Sequence, residues 1–221
     1  MSLQTIIDLA ESVKINRRKV VGIQYTRSEI LRTSETPTRN PWRFTVTVSA
    51  KLPYNESRIL LENLDTLDKT TPEEITFSNN PGLEWVFKYR GQMTQGQIND
   101  LLIQKFGDAT SSYSELVLQN LPQLPSNAVL FRAGDVIQPE NYPYPFSIQE
   151  DVLRGTASTV TLKTHRPNFI SDNLELNKVK VGNDVMFKLV CINMPTYTIL
   201  PGQLVQFDTE FQLYEHTGNE V

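Results

Sequence analysis

The chain has 221 residues, of which 39% are hydrophobic, and it carries a net charge of −4. A chain of this length buries enough apolar surface to fold without disulfides or metal ions, and 13 prolines against 10 glycines favour a loop-rich β protein over a helical bundle. Residues 1–43 hold eight Lys or Arg and four Asp or Glu, so they carry +4 and the remainder carries −8, and so acidic a body argues against a protein that binds nucleic-acid phosphates.

The first residues have the apolar spacing of a helix. Apolar side chains recur every three or four positions, which predicts an amphipathic helix within residues 1–14. These side chains are Leu3, Ile6, Ile7, Ala10 and Val13. A helix so short is not stable alone in water. Its apolar face must pack either on the chain's own core or on a neighbouring protein. We expect docking on a neighbour, because a basic cluster follows directly.

That basic cluster opens a strand, and a long polar stretch follows it. Arg17, Arg18 and Lys19 lead into a predicted strand that ends at Tyr25, and residues 26–41 have little apolar periodicity. Long loops in compact domains tend to be functional, so we predict an extended arm that reaches a neighbouring subunit. For the basic residues, a merely solvated surface is the alternative. The candidate interface residues are Leu3, Ile6, Ile7, Arg17, Arg18, Lys19, Arg27, Arg32 and Arg39.

The next segments mix strands and helices. Residues 42–50 alternate apolar and polar side chains, which predicts a half-buried antiparallel strand. A helix is predicted over residues 56–67 with Asn55 as its cap, then a strand over 83–89 and a second helix over 94–105. The side chains predicted to face inward are Trp42, Phe44, Val46 and Val48 on the strand and Ile59, Leu60, Leu64 and Leu67 on the first helix.

Residues 113–221 form a β-rich half, because short strand-like segments alternate there with Pro and Gly turns. The predicted strands are 113–119, 128–132, 135–138, 146–149, 156–165, 185–193 and 204–215. Such spacing is typical of a sandwich or barrel. We therefore predict one structural domain, residues 1–221, that is mainly β with a few short helices (α+β) and forms an antiparallel β-barrel or sandwich.

Residue types that carry out catalysis or bind metals are few. His165 and His216 have no motif partners, and Cys191, the single cysteine, stands in an apolar run. No nucleophile elbow, zinc-ligand spacing or phosphate-binding glycine pattern occurs, so we expect no catalytic residue, no metal and no cofactor. The lone cysteine, an N-terminus without a basic start and the lack of a long apolar run predict folding in the cytoplasm where the chain is made.

Four strings of the second half resemble a known class of structural protein. They are Phe131–Pro139, Tyr142–Tyr144, Thr159–Leu162 and His165–Pro167. In sequence and order they resemble the β-barrel half of tail-tip and baseplate proteins of long-tailed bacteriophages.

Strings near both ends of the chain extend this resemblance. The closing strings look like the end of the same family, and the opening string is similar to small structural proteins from phage tail gene clusters. These strings are Met194–Gly202, Val205–Asp208 and Phe211–Glu215 for the end and Ile15–Gly22, with Arg27 and Ser28, for the opening.

The resemblance implies a barrel of tail-tube type that assembles as a ring at the distal tail and joins the tail tube to hub or baseplate proteins. The implied partners are further copies of the chain and neighbouring tail proteins, without specific nucleic-acid binding or membrane insertion. The implied location is the virion. Because closed cyclic rings use heterologous contacts, a reaching arm and a terminal helix suit such a subunit.

Two other functions stay open at this point. A carbohydrate- or receptor-binding β-sandwich module of the tail would use Trp42, Trp85 and residues 142–144 as stacking platforms. A hydrolase would need two carboxylates at a suitable separation, for which the adjacent pairs Glu73-Glu74 and Glu150-Asp151 are the candidates. We rank the structural subunit first and the hydrolase last.

Overall fold

The structure is a computed structural model, and it describes residues 3–17, 21–25, 31–35, 40–48, 51–66, 71–107, 113–168 and 174–218. For residues 21–25 and 31–35 it gives the backbone. The predicted class is confirmed, since the chain is mainly β with a few short helices.

The described part of the first half contains three helices among its strands, and strands dominate the second half. Within the described residues the helices are α1 (Leu3–Asp8), α2 (Tyr54–Asp65) and α3 (Gln95–Asn99). The strands of the first half are β1 (Ala10–Asn16), β2 (Val21–Tyr25), β3 (Leu31–Glu35), β4 (Arg43–Val48), β5 (Leu52–Pro53), β6 (Glu73–Ile75) and β7 (Leu102–Phe106). Those of the second half are β8 (Glu115–Gln119), β9 (Val129–Phe131), β10 (Val136–Pro139), β11 (Phe146–Ser147), β12 (Val152–Leu153), β13 (Val160–Lys163), β14 (Val179–Val181), β15 (Phe187–Asn193), β16 (Tyr197–Leu200), β17 (Leu204–Phe207) and β18 (Phe211–Glu215).

The largest sheet joins strands from both ends of the chain. Its five antiparallel strands lie in the order β1-β4-β18-β15-β6, so β4 pairs with β1 on one side and with β18 on the other. The smaller sheets are β11-β10-β14, β13-β8-β7, β16-β17-β5, β12-β9 and β2-β3. Among the described strands, no sheet closes into a barrel.

The N-terminal segment differs from the predicted helix. The helix α1 ends at Asp8, and the following residues form β1, which pairs with β4. The side chains of Leu3, Ile6 and Ile7 are buried in the chain's own core, so the expected docking of this helix on a neighbouring protein is wrong. The junction between α1 and β1 is fixed by Asn80, whose side-chain amide donates to the carbonyl oxygens of Ile7 at 2.7 Å and Ala10 at 2.9 Å.

Burial of α1 predicts a stability effect in the isolated chain. Ile6→Ala removes a fully buried aliphatic side chain and leaves a cavity, so we expect a loss of about 2–5 kcal/mol in the free energy of unfolding. Ile59→Ala on α2 is the matched control, because that isoleucine is 76% exposed, and it should stay within about 0.5 kcal/mol. Urea unfolding followed by circular dichroism measures both. Equal midpoints for Ile6→Ala and the parent protein would contradict the observed packing.

The strand β4 follows the predicted pattern and α2 departs from it in detail. Trp42 and the inward side chains of β4 are buried as predicted. The helix α2 begins directly after Pro53, and Asn55 instead donates from its amide to the side-chain oxygen of Gln203 at 3.3 Å. Leu60 and Leu64 face the core as predicted, together with Leu61, whereas Ile59 faces solvent and Leu67 lies outside the described residues.

Turns replace two predicted elements. The segment 83–89 is not a strand, because the amides of Leu83 and Val86 donate to carbonyl oxygens three residues earlier and fold it into consecutive turns. The helix predicted over residues 94–105 is shorter in the structure, where it corresponds to α3. A capping box between Thr94 and Gln97 starts α3, and the second half of the predicted helix forms the strand β7. Backbone hydrogen bonds between residues three apart therefore replace the predicted strand, and the predicted second helix already ends at Asn99.

The long strand predicted over residues 204–215 is two strands in different sheets. The carboxylate of Asp208 accepts from the hydroxyls of Thr196 at 2.7 Å and Thr198 at 3.0 Å, which holds the chain in a turn between β17 and β18. Within residues 26–41, predicted as an extended arm or loop, the structure describes β3, which pairs antiparallel with β2 as a hairpin. Residues 26–30 and 36–39 lie outside the described residues.

The buried apolar side chains form two clusters, which we call core A and core B. Core A lies on the five-stranded sheet and includes Phe44, Phe187 and Leu213 together with α1 and α2. Core B is built from the middle of the chain and includes Leu130 and Phe146. A buried ion pair lies where the two cores meet, and it positions the site described next.

Candidate binding site at the junction of the two cores

A fully buried ion pair lies at the junction. Arg166 follows β13, Glu215 ends β18, and neither side chain is exposed to solvent. The guanidinium donates through Nη1 to Oε2 of the carboxylate and through Nη2 to Oε1 at 2.8 Å, which is the two-point geometry that arginine makes with a carboxylate. This ion pair links the last strand of core A to the chain of core B.

Backbone groups supply further hydrogen bonds to this ion pair. Arg166 also donates to the carbonyl oxygens of Pro145 at 2.8 Å and Asn40 at 3.3 Å. The amide N–H of Trp42 donates to Oε2 of Glu215 at 3.0 Å, and the indole N–H of Trp42 donates to the Pro145 carbonyl oxygen at 3.1 Å. One charged pair therefore joins four segments that are distant in sequence. These hydrogen bonds, together with the attraction between the two charges, offset the cost of burying them.

Trp42 is the largest side chain at the junction and is 1% exposed. Aromatic rings surround it at centroid distances of 5.2 Å for His165, 5.3 Å for Phe187, 5.9 Å for Phe87 and 6.0 Å for Phe44. The guanidinium carbon of Arg17, at the end of β1, lies 5.1 Å from the indole centroid. This distance is within the range of a cation–π interaction, and Arg17 itself is exposed.

His165 is held in one tautomer. The backbone N–H of Ser147 donates to Nδ1 at 2.9 Å, so Nδ1 carries no proton and the ring proton is on Nε2. That Nε2 is shielded from solvent and has no hydrogen-bond partner. Burial, and then the charges of Arg166 and Arg17, lower the pKa of His165 well below 6.5. The ring is therefore neutral near pH 7 and presents a buried N–H donor without an acceptor.

The neutral state of His165 predicts a pH dependence of stability. Below about pH 6.5, the ordinary pKa of histidine, His165 binds a proton in the unfolded chain but not in the folded protein. The free energy of unfolding therefore falls as the pH falls. The contribution of one such group is at most about 1.4 kcal/mol per pH unit. Urea midpoints measured between about pH 7.5 and 5.5 should therefore fall less steeply in His165→Asn, which keeps an acceptor for Ser147. Parallel curves for the two proteins would contradict this assignment.

A cavity of about 500 Å³ opens beside His165, and we call it the junction cavity. Arg17, Asn40, Gly134, Ser147 and His165 contribute to its lining. A second cavity of about 260 Å³ shares Arg17 and Gly134 with it, and Ile15, Trp42, Val86 and Phe87 complete its lining. The two shared residues make the cavities neighbours, one beside His165 and the other beside Trp42.

Among the predicted interface residues whose side chains the structure describes, Arg17 alone lies at this site. Leu3, Ile6 and Ile7 belong to core A, away from any surface. Arg32 lies on β3 opposite Gln24 in the hairpin. Arg18, Lys19, Arg27 and Arg39 lie outside the described residues.

Sequence reasoning missed the most connected residues of the site, Arg166 and Glu215. One feature of the sequence could have located Glu215, since it follows Phe211 and Leu213 at the inward positions of an alternating strand. A carboxylate at such a position requires a buried partner. Nothing comparable distinguishes Arg166, which follows the strand β13.

The structure also places the residues of the two alternative functions. Trp42, Tyr142 and Tyr144 are buried and cannot stack on a sugar, which leaves Trp85 as the exposed ring of that set, at 59%. Of the acids named for a hydrolase, Glu150 pairs with Lys163 at 3.2 Å and Asp151 with Arg132 at 3.1 Å. Glu73 accepts from the backbone N–H of Leu3 at 3.2 Å, and its neighbour Glu74 lies on β6 beside it. Within the described residues there is no group of three or more His, Cys, Asp or Glu that could hold a metal ion.

No protein-family model matches the chain, and a search of curated proteins finds no similar sequence. In the described part of the chain, no helix is long and apolar enough to cross a membrane.

Proposed function

We propose that the chain is a structural subunit of a bacteriophage tail tip or baseplate, where it forms a ring with further copies of itself and joins the tail tube to hub or baseplate proteins. The sequence resemblance of both ends and of the second half is the starting point. The observation that carries the proposal further is the hairpin β2–β3, which pairs with no other described strand. A hairpin outside the main sheets is a means of reaching a neighbouring subunit.

A free strand edge supports the same proposal. The strand β16 pairs with β17 on one side and with no described strand on the other, and its Thr198 and Ile199 are exposed. An exposed edge of this kind is a template for pairing with another chain. The barrel of tail-tube type is part of this proposal, since sheets joined edge to edge around a ring form one closed wall.

Sedimentation velocity and negative-stain images of the purified protein test the ring. We expect closed rings whose population rises with protein concentration. Replacing residues 22–34 by a short Gly-Ser linker should remove the rings and leave the circular dichroism melt of the monomer unchanged. Antibody against the protein should label one end of the tail on phage particles from a host that carries the gene.

A matched pair of variants tests the edge of β16. Ile199→Lys places a charge on the free edge strand, whereas Ile192→Lys does so on β15, at a bulge in its pairing with β18. The two isoleucines are equally exposed, at 57% and 56%. We expect only Ile199→Lys to weaken assembly. A protein that stays monomeric at every concentration, together with unlabelled tails, would contradict the proposed function.

A further inference from the structure

We propose that the free edge of β16 is the surface on which the hairpin β2–β3 of a second copy docks. The inference rests on the proposed ring function and specifies its contact, because a closed ring joins two different surfaces of the same chain. It is argued from the open edge of β16, from carboxylates on both faces of that strand and from a cavity at its start.

The open edge is the first step of the argument. The strand β16 pairs with β17, and no described strand covers its other side. Thr198 and Ile199 are exposed along it, and an added strand would satisfy the outward backbone groups. The hairpin offers such a strand, because β2 and β3 pair only with each other among the described strands.

Carboxylates lie on both faces of β16. Side chains alternate along a strand, so Thr198 points to one face, where its hydroxyl donates to Asp208 at 3.0 Å, and Tyr197 points to the other, where its hydroxyl donates to Asp65 at 3.3 Å. Partial burial, and then the charges of Asp65 and Glu62, raise the pKa of Tyr197. No Lys or Arg of the described residues forms an ion pair with these three carboxylates, so the edge has an unbalanced negative charge.

This charge selects the occupant of the edge. Residues 18–39, which contain β2 and β3, hold five Lys or Arg and two Glu, a net charge of +3. The strand β1, which also pairs on one side only among the described strands, holds one Glu and one Lys and has no net charge. Pairing of β16 with β16 of another copy would bring like charges together. Charge complementarity therefore favours the hairpin over both other edges.

A cavity at the start of β16 has room for a long basic side chain. Its volume is about 350 Å³, and Tyr197 lines it together with Asp65 at the end of α2. Leu64, Met194 and Phe211 also contribute to the lining. Lys and Arg side chains combine an apolar stem with a charged end, so a lining of apolar and acidic residues suits them.

Mixing two assembly-defective variants measures this contact alone. The linker variant, in which Gly-Ser replaces residues 22–34, keeps the β16 edge, and Ile199→Lys keeps the hairpin. Each variant should stay monomeric in sedimentation velocity, whereas an equimolar mixture should form dimers and nothing larger, because only one contact can form. Dimers of the linker variant alone would show that β16 pairs with itself, and dimers of Ile199→Lys alone would show that hairpins pair with each other. Either result would overturn the proposal.

Substitutions in the linker variant test the role of charge. Asp65→Asn removes the charge and keeps an acceptor for Tyr197, so the Kd of the mixed dimer should rise about two- to fivefold. Glu56→Gln is the matched control and should leave the Kd unchanged, because Glu56 is also exposed on α2 but lies about 14 Å from Asp65 along the helix axis. Added salt should weaken the mixed dimer, and less so when it carries Asp65→Asn.

Failure of this contact is distinguishable from failure of the ring function. A parent protein that stays monomeric at every concentration would overturn both. Rings of the parent protein, together with no dimer in the mixture or with equal effects of Asp65→Asn and Glu56→Gln, would overturn the docking on β16 and leave the ring function intact. A circular dichroism melt confirms that each variant is folded. Ile23→Pro, in the middle of β2, is a second hairpin variant that keeps the chain length and should behave as the linker variant does.

Discussion

Arg166→Leu and Glu215→Leu are each expected to lower the free energy of unfolding by about 3–5 kcal/mol. Each substitution leaves the other member of the pair buried without its counter-charge, since neither side chain reaches solvent. Each also removes hydrogen-bond partners of backbone groups, namely the Pro145 and Asn40 carbonyls for Arg166 and the Trp42 amide for Glu215.

The double variant Arg166→Leu with Glu215→Leu separates charge from packing. It removes both charges together, so it should be less destabilised than the sum of the single variants by about 0.5–3 kcal/mol, the usual coupling between contacting residues. The exposed ion pair between Lys14 and Glu210 serves as the control, because Lys14→Met should cost less than about 1 kcal/mol.

Urea unfolding at neutral pH measures all four variants. Purely additive effects of the two leucine substitutions would show that the pair contributes nothing beyond its separate contacts. Single-variant losses as small as that of Lys14→Met would contradict the buried location of the pair.

Trp42→Ala is the second substitution with a large expected effect, a loss of about 3–5 kcal/mol. It removes the ring that lies among Phe44, Phe87, Phe187 and His165, together with the indole bond to the Pro145 carbonyl oxygen. The contacts are in core A and the bond is to the chain of core B, so the substitution weakens both sides of the junction.

Trp85→Ala is the matched control, because the chain has two tryptophans and Trp85 is the exposed one. Its indole N–H donates only to the nearby Gly82 carbonyl oxygen at 2.9 Å. The expected loss in the free energy of unfolding is therefore less than about 1 kcal/mol. Circular dichroism is the appropriate probe, since tryptophan fluorescence itself changes in both variants. Similar urea midpoints for the two variants would contradict the different environments of the two rings.

Local patterns predicted the class of fold and those strands that alternate cleanly. The strand β4 is the clearest case, since its apolar side chains recur at every second position and are buried on one face. The N-terminal segment shows the limit of this reasoning. Apolar spacing continues from Leu3 to Val13, but pairing of residues 10–16 with β4 outweighs the helical pattern after Asp8. Long-range pairing of this kind leaves no local mark in the sequence.

The site was less predictable than the fold. Arg17 was singled out because it belongs to a basic cluster, yet its position depends on Trp42, a contact that only the folded sheet creates. The tautomer of His165 depends on the amide of Ser147, 18 residues away on a different strand. Arg166 and Glu215 lie 49 residues apart, and no spacing rule joins them. Such contacts depend on which strands and loops lie side by side in the fold, and local patterns in a single sequence do not predict that arrangement.

The arrangement β1-β4-β18 also has a consequence for synthesis of the protein. The amide of Trp42 bonds to Glu215 across 173 residues, so the five-stranded sheet cannot be completed until that last strand has left the ribosome. Folds with such distant contacts form slowly, because a long loop must close before the contact contributes. Nascent chains would then expose the edge of β4 during elongation, where pairing with other chains leads to aggregation. A shortened translation product would lack β18, and it would leave β4 unpaired on one side and Arg166 without its carboxylate.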